Sequence, residues 1–158
     1  MKKNATRPEM TAVSQVLPGG KANGKQYFTV PELMRLTGMT RKQVNYWAKI
    51  GLLAPTMRRP DRAIGKAASF YSPQDALRAL VICDMRHRGI STQQVQKVAH
   101  NLEKEGIRLD ESSKYLLTDG FSVYYAKSDT EVVDILRHNR QMILIPIHDQ
   151  VEKLRKAA

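Results

Sequence analysis

One cysteine, Cys83, is all that the 158 residues contain. Intrachain disulfides, multi-thiolate zinc sites and iron–sulfur clusters held by several cysteines are thereby excluded, and a reducing cytoplasm is the expected setting. Long apolar runs are missing too. The longest, apart from its proline, is Met142 to Ile147, far short of the roughly 20 residues that a membrane-spanning helix needs. Met1-Lys2-Lys3 leads into polar residues rather than an apolar stretch, so no secretory signal is visible and no membrane partner is expected. Glycine and proline, at 9 and 7, are too sparse for a collagen-like or low-complexity chain.

Catalytic signatures are equally scarce. There is no phosphate-cradling glycine loop, no nucleophile motif and no His/carboxylate spacing of recognised form, so an enzyme is not expected. Glu103 and Glu105 read as solvated helix-end residues. Cys83 and His87 stand four residues apart on one helical stretch, but two ligands fall short of the three or four a divalent site needs. Neither a metal nor a cofactor is expected, and Cys83 reads as a small buried thiol. His100, His138 and His148 are isolated.

What the chain has is positive charge. Against 15 Asp+Glu it carries 26 Lys+Arg, a formal net charge of +11, while 42% of its residues are apolar, enough for a packed core. The excess is local. Residues 1–71 hold 13 Lys+Arg and 3 Asp+Glu, net +10, whereas residues 72–158 hold 13 and 12, net +1. Such asymmetry marks a module built for anions, nucleic acid first and an anionic membrane surface second.

Residues 1–25, with Pro18-Gly19-Gly20 and Asn23-Gly24, lack apolar periodicity and read as a flexible basic arm. Helix-start chemistry then punctuates the chain. Thr29-x-x-Glu32, Thr40-x-x-Gln43, Ser91-x-x-Gln94 and Ser128-x-x-Glu131 all have the capping-box form, and Ser72-Pro73 adds a cap with proline at the first helical position. A helix from about Val30 ends at Gly38, and the next begins at Arg41. Two short helices across a three-residue, glycine-containing turn give the helix-turn-helix pattern. On the second helix Val44, Trp47 and Ala48 share one face, with Trp47 read as core packing. Arg41, Lys42, Asn45 and Lys49 share the other.

Ala54 to Tyr71 has no helical period and holds Arg58, Arg59, Arg62 and Lys66 with Gly65 near its middle. It reads as a hairpin with a cationic tip, a disordered basic loop being the competing reading. A helix over about 73–87 is apolar on more than one side and should be the central core helix. Ser91 to Glu105 shows one apolar stripe. After Gly106 the pattern becomes hairpin, helix and buried strand: Tyr115 to Leu117, Asp119-Gly120, Phe121 to Tyr125, then about 129–138, then Met142 to Ile147, with a charged helical tail from Asp149 to Lys156. Pro146 puts that last strand at an edge or ends its pairing. Phe121, Tyr124 and Tyr125 either line a ligand pocket or pack as ordinary strand residues.

One run of residues resembles the MerR family of DNA-binding regulators. It comprises Phe28-Thr29-Val30-x-x-Leu33-x-x-x-Thr37-Gly38-Met39-Thr40, then Val44-Asn45-Tyr46-Trp47-x-x-x-Gly51-Leu52-Leu53, then Tyr71-Ser72-x-x-Asp75 and Arg88-Gly89-Ile90-Ser91-x-x-x-Val95. The resemblance covers roughly Tyr27 to Glu105. It implies a winged helix-turn-helix whose second helix enters the major groove while the wing follows the backbone. Thr40, Arg41, Asn45 and Tyr46 then match the family's recognition-helix contacts, and Arg58, Arg59 and Arg62 occupy the wing. This chain has Asn45 where the family usually has Arg. It has Ala67-Ala68-Ser69-Phe70 where Gly-Tyr-Arg usually precedes the wing's closing Tyr, which moves the wing's phosphate contact onto Arg62 or Lys66. Gly106 and the ββαβ pattern stand where the family's long dimerisation helix generally follows.

The expected fold is mainly α with small β: an arm over 1–25, a winged helix-turn-helix domain over 26–106, and a small α+β (ββαβ) unit over 107–158. The expected function is sequence-specific binding of double-stranded DNA in transcription regulation, as a homodimer, with a protein partner also open to 107–158. Two other functions fit the same sequence. One is a DNA-bending recombination accessory factor resembling an excisionase, and the other an autoregulating antitoxin whose C-terminal unit binds its partner.

Overall fold

In a computed structural model, the described residues are 21–22, 25–61, 63, 65–109, 114–138 and 141–157. They form a mainly helical protein with small antiparallel sheets. Of the expected arm, only Lys21, Ala22 and Lys25 fall among them. Strand β1 (Lys21–Ala22) pairs with β2 (Lys25–Gln26), and the rest of the arm lies outside the described residues.

Helix α1 (Val30–Thr37) starts at a complete capping box. Glu32 N–H donates to Thr29 Oγ1 at 3.3 Å, and Thr29 N–H donates to Glu32 Oε2 at 2.8 Å. It stops at Gly38, whose φ of 77° is left-handed backbone that glycine enters without steric cost. Two residues on, Thr40 with Gln43 forms a second box that starts α2 (Arg41–Lys49). Beyond α2 the Trp47 carbonyl accepts from both Leu52 and Leu53 N–H, at 2.9 and 3.1 Å, which turns both leucines into the core.

Strand β3 (Phe28–Thr29), β5 (Lys66–Tyr71) and β4 (Met57–Asp61) form one antiparallel sheet with β5 in the middle. Arg58 faces Ser69, Arg59 faces Ala68 and Pro60 faces Ala67. Pro60, which has no amide hydrogen, thus sits on an edge strand, where a missing ladder donor is tolerated.

Ser72 caps α3 (Pro73–His87), a 15-residue helix that buries Ala76, Leu77, Ala79, Leu80, Val81, Ile82, Cys83 and Met85. A helix apolar on several sides must be covered on several sides. Helix α4 (Thr92–Lys104), started by the Ser91/Gln94 box, buries Val95, Val98 and Leu102. Strands β6 (Tyr115–Thr118), β7 (Val123–Ala126) and β8 (Ile143–Pro146) form a third antiparallel sheet in the order β7-β6-β8, with α5 (Asp129–His138) between β7 and β8 in sequence.

Ile147 opens helix α6 (Ile147–Ala157) instead of closing the strand, because its N–H is taken by the Lys114 carbonyl at 2.8 Å. Pro146 therefore lies at the end of an edge strand. The third sheet and α6 join the same apolar cluster as the N-terminal half: Leu116, Ile145, Ile147 and Val151 are buried with Leu33, Trp47, Tyr71 and Val81. A smaller cluster holds Leu117, Ala126 and Val132.

Candidate nucleic-acid interface

Helix α2 is divided lengthwise. Val44 and Trp47 are buried, Trp47 to 5% exposure, while Arg41, Lys42, Asn45, Tyr46 and Lys49 are all exposed. Arg41, Asn45 and Lys49 follow one another at i, i+4, so they stand in one row, with Lys42 and Tyr46 in the next. Tyr46 is half exposed, at 50%. An aromatic ring, an amide and three cations thus share one surface of a helix whose other surface is fixed in the core.

The charge at the start of α2 runs against helix stability. Its first turn contains no acidic residue but holds Arg41 and Lys42, beside the positive end of the helix dipole. Exposed N–H groups and two cations at a helix start form a site that an anion relieves. Thr40 contributes the cap itself. Its Oγ1 accepts from Gln43 N–H at 3.2 Å, which leaves the hydroxyl proton available to an oxygen acceptor.

The β4–β5 hairpin carries the second group of cations. Arg58 and Lys66 are exposed, and Arg59, half-buried, points to the opposite side of β4 from Arg58 by strand alternation. Asp61 Oδ1 accepts from Ala63 N–H at 2.9 Å and Gly65 adopts a φ of 64°, which closes the turn. Arg62, the remaining cation expected there, lies outside the described residues. Burial pushes the Tyr71 phenol up from its ordinary pKa, partly offset by the Arg58 charge and reinforced by Asp75.

A contact that sequence reasoning missed anchors this hairpin. Thr56, just before β4, donates its hydroxyl to the Asp75 carboxylate in the first turn of α3. The same oxygen accepts from Ser72 N–H at 2.7 Å. A polar pair 19 residues apart leaves no periodic signal. Also missed was a groove of about 540 Å³ between α1 and α6, which brings Arg35 together with Lys153 and Lys156.

Burial pushes the Cys83 thiol up to about 11, with a Thr37 hydrogen bond working the other way. Such a thiol is protonated and unreactive near neutrality. His87, four residues on, is exposed. Among the described residues no three His, Cys, Asp or Glu side chains converge to hold a metal ion, and no helix is long and apolar enough to cross a membrane.

Two capped helices across a glycine turn, the second with a buried back and a basic, amide-bearing front, define a helix-turn-helix module. Residues 28–102 match the family described as MerR HTH family regulatory protein, and they form a MerR-type helix-turn-helix domain. The chain is also similar to proteins described as uncharacterized HTH-type transcriptional regulators, one from Mycobacterium bovis and one from Mycobacterium tuberculosis strain H37Rv. Each is 28% identical over 125 residues, covering 78% of this chain and 54% of the relative. The chain spans about half the length of these curated relatives. The shared length exceeds residues 28–102, so the likeness extends beyond the helix-turn-helix domain.

Proposed function

We propose that this chain is a sequence-specific DNA-binding transcriptional regulator, in which α2 enters the major groove and the β4–β5 hairpin is a wing on the sugar–phosphate backbone. The observation that carries the reading is the exposed front of α2. Asn45 supplies a side-chain amide able to pair bidentately with adenine, and Arg41 and Lys49 flank it one turn away on either side to read guanine or hold phosphate. Thr40, Lys42 and Tyr46 complete the contact surface, and Arg58, Arg59, Arg62 and Lys66 hold the backbone. No residue is assigned a catalytic role.

The same reading makes the protein a homodimer, since one helix-turn-helix reads a half-site and a two-fold protein matches a palindrome. Residues 107–158 are its contact unit. Among the described residues, apart from Tyr46, the large apolar side chains that stand exposed are Phe121, Tyr124, Val133 and Leu136, and all four lie in that segment. Val133 and Leu136, at 49% and 40% exposure, are one helical turn apart on α5.

Selection of bound duplexes from a random library, followed by titration at several salt concentrations, tests the proposal. With about 6 to 10 phosphates contacted, affinity falls by roughly 10³ to 10⁵ between 50 and 200 mM salt. An unenriched library or salt-insensitive binding would refute it.

A further inference from the structure

A cavity of about 430 Å³ lies between α3 and α4, bounded by the segment that leaves α4. Small-molecule sites occupy roughly 300–1,000 Å³. Its walls are apolar: Val81 and Met85 from α3, Ala99 and Leu102 from α4, Ile107 and Leu109 beyond it. Four charged side chains also line it, Asp75, Arg78, Glu103 and Arg108. Three of them are committed. Arg78 Nη2 pairs with Glu103 Oε1 at 3.1 Å, and the Asp75 carboxylate accepts the Thr56 hydroxyl. Arg108 is exposed and has no ion pair among the described residues. A cation entering the cavity would meet two carboxylates already in use, whereas an anion would meet the Arg108 guanidinium fork, which no described residue pairs.

We infer that this cavity is an effector site for a hydrophobic carboxylate, with its apolar body against Met85 and Leu102, its carboxylate on Arg108, and its occupancy transmitted to the β4–β5 hairpin through Asp75 and Thr56. Binding itself stands on the cavity alone; its regulatory meaning rests on the DNA-binding reading above. The transmission is local. Asp75 lines the cavity and holds Thr56, and Thr56 immediately precedes β4, so a ligand that repositions Asp75 repositions the hairpin's root. A ligand shifts an equilibrium only through such a difference in affinity between two arrangements.

Methyl-labelled methionine NMR on the full chain tests this with decanoate as the probe and decanol as its uncharged counterpart. Met85 lines the cavity, Met57 opens β4, and Met39, buried at the α1–α2 turn, serves as the control. Decanoate should shift Met85 and Met57 saturably with one midpoint and leave Met39 in place. Arg108→Gln should raise the decanoate midpoint at least about tenfold without moving that of decanol. Ala99→Phe, which fills the cavity, should abolish the Met85 response with the Met39 signal retained. Thr56→Val should keep the Met85 shift and silence Met57.

A Met85 signal that does not saturate, an Arg108→Gln variant that titrates like the parent, or a silent Met57 in the parent overturns the inference. With the selected duplex, decanoate should change DNA affinity at least about fivefold, the lower end of ordinary allosteric coupling. Decanoate binding without any DNA binding would remove the DNA-binding reading and leave the site. DNA binding with an unresponsive Met85 would do the reverse.

Discussion

Gln150 of α6 donates its side-chain amide to Asp84 Oδ2 of α3 at 3.3 Å, across 66 residues of sequence. The other carboxylate oxygen, Asp84 Oδ1, accepts from Arg88 Nε at 3.0 Å. Gln150 is 4% exposed, so the bond closes within the packed seam between the last helix and the central one. Gln150→Leu keeps the volume but leaves a shielded carboxylate oxygen without its donor. A loss of about 1–3 kcal/mol is expected in urea unfolding, the range for leaving a buried polar group unsatisfied. Loss of this size should accompany a single cooperative transition, since one apolar cluster serves both halves. An unchanged midpoint would show that the seam does not depend on the pair.

Thr40→Ala removes the side-chain half of the box that starts α2. About 1 kcal/mol of stability should go with it. Thr40→Ser retains the capping oxygen and should restore most of the loss. If Thr40→Ser is as unstable as Thr40→Ala, the methyl packing rather than the cap is what matters.

Asn45→Ala and Arg58→Ala should behave differently on DNA. Loss of the Asn45 amide relaxes preference at one base position by ~1–3 kcal/mol. Loss of Arg58 weakens binding to every duplex and lowers the salt slope by about one. Competition between the selected duplex and scrambled DNA separates the two. Equal losses on both duplexes from the Asn45 change would remove its reading role.

Alkaline stability should depend on Cys83. In the window from its ordinary value of 9.0 to about 11, the unfolded chain releases the thiol proton while the folded protein retains it. Stability is therefore fully present below about pH 9 and declines as pH rises toward 11. Cys83→Ala flattens that decline relative to the parent in chemical denaturation series. Identical slopes from pH 8 to 11 would mean that other groups, such as the buried Tyr71 phenol, set the alkaline limb.

Leu136→Asp places a carboxylate in the apolar row of α5. Under the dimer reading, sedimentation should show a shift toward monomer with an unchanged far-UV spectrum. A parent protein that is already monomeric at all concentrations would remove the dimer from the proposal.

Helix starts were legible because a cap is a local device. The Thr29, Thr40 and Ser91 boxes and the Ser72 cap each need only residues within three positions of one another, so their sequence spacing is their structure. Trp47 was legible for a related reason, since helical periodicity puts it with Val44. Contacts between distant segments left no comparable trace. Nothing in the composition of Tyr27 to Thr29 announces that Phe28 pairs with Tyr71, that Thr56 holds Asp75, or that Lys153 and Lys156 come to lie beside Arg35. Phe121 illustrates another limit. Its ring is 61% exposed with Lys97 Nζ 5.2 Å from its centroid, an aromatic whose position is set by Asp119 accepting from its amide rather than by strand alternation.

Pro60 gives the edge of the first sheet a further property. A bare β-edge is a template on which another chain can crystallise strand by strand, and a basic ribbon with the proposed wing role would be gathered by polyanions at high local density. Arg58 repels a like neighbour, and Pro60 two residues on supplies a ring in place of a hydrogen-bond donor. In the wing role proposed for it, the ribbon could therefore crowd along a nucleic-acid surface without seeding aggregates.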